Sequence, residues 1–363
     1  MSVGSVTRQS ALTVLQTGAV IPATPLALTA EKKLDEKRQR LIIRYFLHAG
    51  AGGIASGVHS TQFEIHDKKV GLLAPVLEIV ADEISRFEDT IKKTIVKVAG
   101  VCGPVSQAVK EAELAQKLGY DAVLLSPGGL PNLNEEGFLE RTKAVAEVMP
   151  VIGFALQNAV GGPTFSYNYW ETLCETENLV AIKIAPFDRY QTLDIVRAAA
   201  LSSRRDKIAL YTGNDDNIII DLLTKFSFTK NGKTYEKQFV GGLLGHYSVW
   251  TKKNVEIFNM LKDIRENSTA HVITPELITL AAKITDMNAA VFDPANRFAG
   301  CISGIHEVLR RQGLLAGIWC ISEKERLSPG QAKEIDRIYA MYPELTDDEF
   351  IKANMDEWRV GLV

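Results

Sequence analysis

The sequence predicts a (β/α)8 TIM barrel with a C-terminal helical extension, and three observations predict it. Short apolar runs alternate with helical patterns from residue 18 to about residue 265, and eight strand-then-helix units fit in that span. That is the count of a barrel. A doubly wound open sheet gives the same local alternation. However, no Gly-x-Gly-x-x-Gly follows the first strand, and open sheets seldom reach eight such units.

The elements follow in order. GAVIPATPL (18–26) reads as the first strand, and LDEKRQRLIIRYFLHAG (34–50) as its helix. Leu34, Leu41, Ile42, Tyr45 and Phe46 share one face of that helix, and Gly50 supplies a stop. GGIASG (52–57) is the second strand, with a helix expected over roughly 67–80. KTIVKVAGV (93–101) and DAVLLSP (121–127) precede helices over 104–118 and 135–148. PVIGFAL (150–156), VAIKIAP (180–186), KIALYTGND (207–215) and GGLLGHYS (241–248) complete the eight. FSFTKNGKTYEKQF (226–239) alternates around Asn231-Gly232, which predicts a β-hairpin with a type I′ turn inserted before strand eight. Residues 1–17 are expected to form an N-terminal arm, 18–265 the barrel and 266–363 the helical extension.

Composition removes several function classes. The net charge of −3 gives no electrostatic case for nucleic acid or a membrane surface as partner. The four cysteines are far apart, without a Cys-x-x-Cys pair, which predicts reduced structural thiols. No His, Asp or Glu cluster has metal-ligand spacing, so neither a metal nor another cofactor is expected. The opening MSVGSVTRQSALTVLQTG lacks a signal-type apolar core and no later run would span a bilayer, so a cytoplasmic location is expected.

One lysine stands out. In VAIKIAP, Ala181, Lys183 and Ala185 share one face of the strand and Val180, Ile182 and Ile184 the other. An ordinary strand lysine lays its stem on apolar surface and keeps its head in water. At the C-terminal end of a barrel strand a second use exists, because active sites lie at that end. A desolvated amine attacks a carbonyl to form a Schiff base, and small neighbours leave room for the substrate carbons. The other strand ends carry Val58, His59, Ser60 and Thr61 after strand two and Phe154 in strand five. Thr212, Asn214 and Asp215 end strand seven, and His246, Tyr247 and Ser248 strand eight. Asn214 could orient a polar substrate, although such residues also commonly cap the next helix.

These landmarks carry a resemblance. VIPATPL (20–26), AGAGGIASGVHST (49–61), VAGVCGPVSQAVKEAELAQKLGYDAVLLSP (98–127), NLVAIKIAP (178–186), YTGND (211–215) and GGLLGHYS (241–248) resemble the dihydrodipicolinate synthase / N-acetylneuraminate lyase family of class I aldolase-type barrels. The resemblance implies that Lys183 condenses with pyruvate or another 2-oxo acid. It also implies that the chain is a Schiff-base lyase working by C–C cleavage, condensation or dehydration, and that identical chains assemble as dimers or tetramers.

Several positions depart from the family's pattern. Val58 and His59 stand where the family has a proton-relay threonine and a carboxylate-holding threonine. Gly128 and Gly129 replace paired tyrosines, and Phe154 replaces the acid/base tyrosine. No arginine follows in LQNAVGG (156–162), where dihydrodipicolinate synthases bind a dicarboxylic partner. Genuine dihydrodipicolinate synthase activity is therefore not expected. His59 and His246 are the imidazoles available to carry the proton; a hydroxyl of Ser60, Thr61 or Thr212 is another choice. Backbone N–H groups around His59-Ser60-Thr61, with Val58, Asn214, His246 and Tyr247, are the expected substrate contacts. The alternative is a non-catalytic barrel that keeps the ligand pocket.

Overall fold

The computed structural model describes residues 3–267 and 273–362. Its strands are β1 (Val20–Pro22), β2 (Gly53–Ser56), β3 (Val96–Val101), β4 (Ala122–Leu125), β5 (Val151–Leu156), β6 (Leu179–Ala185) and β7 (Ala209–Thr212), then β8 (Phe226–Lys230), β9 (Lys233–Lys237) and β10 (Phe239–Leu244). Helices α1 (Val3–Thr17), α2 (Glu36–Ala49), α3 (Leu73–Ile91), α4 (Val105–Lys117), α5 (Glu135–Ala146), α6 (Tyr167–Cys174), α7 (Arg189–Leu201) and α8 (Ile218–Leu223) alternate with them. Helices α9 (Thr251–Asn267), α10 (Pro275–Phe292), α11 (Cys301–Arg311), α12 (Gln331–Met341) and α13 (Asp348–Arg359) follow.

Eight of the strands form one sheet in the order β1-β10-β7-β6-β5-β4-β3-β2. The two ends of that order meet through a parallel bridge between Ala23 and Ala55. This is the (β/α)8 barrel, and its strands are buried on both faces, as parallel strands clothed by helices must be. The chain forms two compact units. One comprises the residues up to Ala19 together with Val96–Leu243; the other comprises Val20–Ile95 and Leu244–Val363.

In the first unit β3 to β7 run side by side in sequence order. Their register aligns Phe154 with Lys183 and Lys183 with Tyr211. Residues 3–17, expected as an arm, are a helix. Ala11 and Leu15 are buried, α1 packs against β3 and β6, and Gln16 Nε2 donates to the carbonyls of Val180 (2.8 Å) and Lys207 (2.9 Å). Those carbonyls lie at the N-terminal ends of β6 and β7, so α1 floors that end of the unit. The β8–β9 hairpin has the expected type I′ turn, with φ of 52° at Asn231 and 73° at Gly232. It lies along α7, and Lys237 Nζ donates to the Ile208 carbonyl (2.7 Å), just ahead of β7.

In the second unit α2 packs on α3, α9 and α13, and α10 packs on α11 and α12. Asp35 caps α2 by accepting from Arg38 N (3.1 Å), and Gly50 closes it at φ 98°. Helix α3 starts at Leu73, not near 67, because two 3-10 turns, His59–Thr61 and Phe63–His66, occupy the preceding chain. Asp347 accepts from Tyr45 Oη (2.7 Å), Lys252 N (2.9 Å) and Gln312 Nε2 (3.1 Å), tying the C-terminal helices to α2 and α9. The segment between α11 and α12 is fastened at Ile321, whose N–H donates to Gln62 Oε1 (2.7 Å).

Candidate functional site

Lys183 stands on the inner face of β6, between Ala181 and Ala185. Register and two-residue periodicity put Ile152, Phe154 and Leu156 of β5 on the same face, with Ala209 and Tyr211 of β7. Access runs from one direction. Phe154, Leu156, Lys183 and Ala185 keep 5%, 6%, 8% and 6% of their surface, whereas Ile152 and Ala181, one step toward the N-terminal ends, keep 1% and 0%. The amine is therefore approached from the C-terminal ends of the strands, where barrels of this kind do chemistry.

An aromatic ring, Phe154, lies beside the amine. Lys183 Nζ lies 4.5 Å from the centroid of its ring, a cation–π geometry. Tyr211, across β7, points the other way: its hydroxyl donates to the Leu15 carbonyl of α1 (2.8 Å). Burial raises that phenol well above its ordinary pKa, so it is a floor residue and not a proton carrier. Gly213 follows. A Cβ there would lie 2.8 Å from Lys183 Cε and 2.6 Å from Ala185 Cβ, so the lysine stem runs through space that a side chain would fill.

Asn214, expected to meet a substrate, is instead built into the scaffold. It is fully buried; its amide donates to Asp221 Oδ2 (2.9 Å) and Thr192 Oγ1 (3.3 Å), and its carbonyl accepts from Phe187 N (3.1 Å). Phe187 has φ 53°, a strained value for a bulky residue, in the loop that leaves β6. Asn214 thus holds the loop that follows the lysine strand, and it does not cap α8. Thr212 shares this network and donates to Asp221 Oδ2 (2.7 Å), which commits its hydroxyl.

The remaining expected site residues lie in the second unit. Val58 opens the His59–Thr61 turn and is buried, as is Ser60. Thr61 is committed on every side: its hydroxyl donates to the Thr24 carbonyl (2.7 Å) and accepts from Gly57 N (3.1 Å) and Val58 N (3.2 Å), while its own N–H donates to the Val58 carbonyl (2.9 Å). It joins the ends of β1 and β2 and has no donor left for a carboxylate. His59 is partly exposed and lies against the Phe63 ring, with 5.8 Å between centroids. His246 and Tyr247 are buried in the turn after β10. The His246 ring sits beside Trp250, and burial pushes its pKa down to about 4, leaving it neutral near pH 7. Of the two imidazoles, His59 is the one with access to solvent.

Ser126 and Gly128 end strand four and are not among the expected site residues. Ser126 is buried at the end of β4, and its Oγ accepts from Gly128 N (3.2 Å). A Cβ on Gly128 would touch Leu156 Cδ2 at 3.4 Å. Among the described residues no group of three or more His, Cys, Asp and Glu side chains could hold a metal ion, and no helix is long and apolar enough to cross a membrane.

Comparison with known proteins gives the family and the fold. The model of the dihydrodipicolinate synthetase family matches residues 16–225. A 4-hydroxy-tetrahydrodipicolinate synthase of Clostridium novyi is 31% identical over 134 residues, 36% of this chain and 43% of that protein. A probable 5-dehydro-4-deoxyglucarate dehydratase of Acinetobacter baumannii is 37% identical over 65 residues, 18% of this chain and 22% of that protein. The chain thus spans less than half the length of the curated relatives it matches. Among solved structures, the N-acetylneuraminate lyase of Fusobacterium nucleatum superposes with a TM-score of 0.68 at 18% identity, covering 90% of this chain and 99% of that one. The dihydrodipicolinate synthase of Oceanobacillus iheyensis gives 0.67 at 16% identity, covering 94% and 99%. At such identities the likeness is one of fold.

Proposed function

From the premise that the chain belongs to the dihydrodipicolinate synthetase family, we propose that it is a class I lyase in which Lys183 forms a Schiff base with a pyruvate-like 2-oxo acid. The observation that carries this reading is the placement of Lys183: an amine on the inner face of β6, toward the C-terminal strand ends, with Ala181 and Ala185 beside it and the Phe154 ring 4.5 Å away. The neutral amine attacks the C2 carbonyl, water leaves, and the protonated imine draws electrons from C3. A bond from C3 to its neighbour can then form or break.

Phe154 fits this chemistry in one respect. The iminium nitrogen carries positive charge as the ammonium does, and a ring face 4.5 Å away favours both. It cannot move a proton. That observation favours a second reading, a barrel that binds a ligand without turning it over. Assembly of identical chains is part of the proposal and rests on the family alone.

One experiment separates the readings. The protein is incubated with pyruvate and a panel of other 2-oxo acids, reduced with borohydride, and digested for mass spectrometry. An adduct on Lys183 that Lys183→Ala abolishes supports the lyase. Thermal stabilisation by a 2-oxo acid with no adduct across the panel supports the binding barrel.

A further inference from the structure

The surroundings of the amine in β4 to β6 are almost without charge. The inner face there is built from Leu124 and Ser126, then Ile152, Phe154 and Leu156, then Ala181 and Ala185 beside Lys183. The chain beyond β4, residues 126–134 (SPGGLPNLN), contains no Asp, Glu, Lys, Arg or His, and neither does the chain beyond β5, residues 157–168 (QNAVGGPTFSYN). These two loops converge on Leu156. A Cβ on Gly162 would lie 1.9 Å from the Leu156 carbonyl oxygen, and one on Gly128 would lie 3.4 Å from Leu156 Cδ2 and 3.7 Å from the Gly161 carbonyl. Two charged groups near these strand ends are engaged by the scaffold. Asp188 caps α7 by accepting from Gln191 N (3.0 Å), and Arg141 donates to the Gly103 carbonyl (2.7 Å).

We infer that the group lying along β4 to β6, next to the bond made or broken, is uncharged and apolar, so that the partner of the oxo acid is an aromatic or branched aliphatic aldehyde. The inference rests on the Schiff-base reading of Lys183. A carboxylate on this wall would be desolvated, and neither the loop beyond β4 nor the loop beyond β5 carries a cation to meet it. A polyhydroxylated chain would bury hydroxyls against Phe154 and Leu156, and each one left without a partner weakens binding roughly ten- to hundredfold. An apolar group gains by displacing water from the same surface. In the condensing direction C3 of the enamine attacks the aldehyde carbon, the carbonyl oxygen takes up the proton that C3 released on enamine formation, and water hydrolyses the iminium. A 4-hydroxy-2-oxo acid leaves and the amine is restored.

The test uses the intact chain with pyruvate and three aldehydes: benzaldehyde, succinic semialdehyde and erythrose. Product is quantified by mass spectrometry, and borohydride trapping of pyruvate is run alongside. The expected result is a kcat/KM at least about a hundredfold higher for benzaldehyde than for either polar aldehyde. A trapped pyruvate adduct with equal or faster turnover of a polar aldehyde overturns the inference and leaves the Schiff-base reading standing; so does an adduct with no turnover of benzaldehyde. Absence of any adduct on Lys183 overturns both. Leu156→Arg, checked for folding by its thermal transition, is expected to lower the benzaldehyde-to-semialdehyde ratio at least tenfold, and Leu156→Gln serves if the arginine variant does not fold. An unchanged ratio in a folded variant counts against the inference.

Discussion

The Lys183 amine lies 4.5 Å from the centre of the Phe154 ring, one strand away in register. Phe154→Leu keeps an apolar side chain and removes the ring face, which is worth about 0.5–2 kcal/mol to a cation. Adduct formation with pyruvate is expected to slow roughly 2- to 30-fold. Phe154→Tyr keeps the ring and adds a hydroxyl, so turnover is expected to rise if a proton carrier is what limits the native chain. The trapping rate checks the first statement and steady-state turnover the second.

Gly213 gives the lysine its path. In Gly213→Ala the new methyl meets Lys183 Cε at 2.8 Å, and either the stem or the strand must shift. A displacement approaching 1 Å at a reacting atom can cost about a hundredfold. The trapping rate is expected to fall between ten- and a hundredfold while the thermal transition moves little. A variant that traps pyruvate at the native rate would show that the stem has another route.

Asn214 separates a scaffold role from a substrate role. Asn214→Ala removes three hydrogen bonds at a buried site, those with Phe187 N, Thr192 Oγ1 and Asp221 Oδ2. The expected cost is about 2–4 kcal/mol of stability. At a temperature where the variant is still folded, the KM for the oxo acid should stay within about twofold of native. A large rise in KM with an unchanged transition temperature would reassign the residue to the substrate.

Acid should weaken the fold through its buried imidazoles. Burial pushes His246 and His306 from 6.5 down to about 4. Between those values the unfolded chain binds protons that the folded chain refuses, so stability falls as pH falls from about 6.5 to 4. Each imidazole contributes on the order of 3 kcal/mol when the window is fully crossed. Asp347, raised to about 6 by burial, acts oppositely, since its folded form keeps a proton the unfolded carboxyl has lost. His306→Gln removes one imidazole and leaves the rest. Its stability should fall by about 2–3 kcal/mol less than native between pH 7 and pH 4, measured by denaturant titration. Parallel losses in both proteins would exclude His306 as a contributor.

The barrel was legible because parallel strands buried on both faces are short apolar runs, and those of β3 to β7 stand clear between amphipathic helices. The hairpin turn was legible because Asn231-Gly232 accepts positive φ at both positions. Lys183 was legible for a local reason too: alternation alone puts it between two alanines. What was not legible depends on partners far along the chain. Thr61 looks like any hydroxyl at a strand end until Thr24 arrives to accept from it, and Asn214 until Asp221 and Phe187 do. The late start of α3 has the same origin, since 3-10 turns held by His66 on the Gly57 carbonyl (2.8 Å) carry little signature in periodicity. Helix α1 belongs with these, since it is fixed by Gln16, whose carbonyl partners are more than 160 residues away.

The split of the second unit into Val20–Ile95 and Leu244–Val363 sets an order on the birth of the molecule. A ribosome adding roughly 5–20 residues per second takes on the order of ten to fifty seconds to go from Ile95 to the end of the chain. Within that interval α2 waits first for α9 and then for α13, whereas residues 96–243 leave the ribosome as one continuous run. The central segment can therefore collapse first. The nascent ends, with Tyr45 and Glu83 still to be enclosed, form the stretch on which a chaperone would have most to hold.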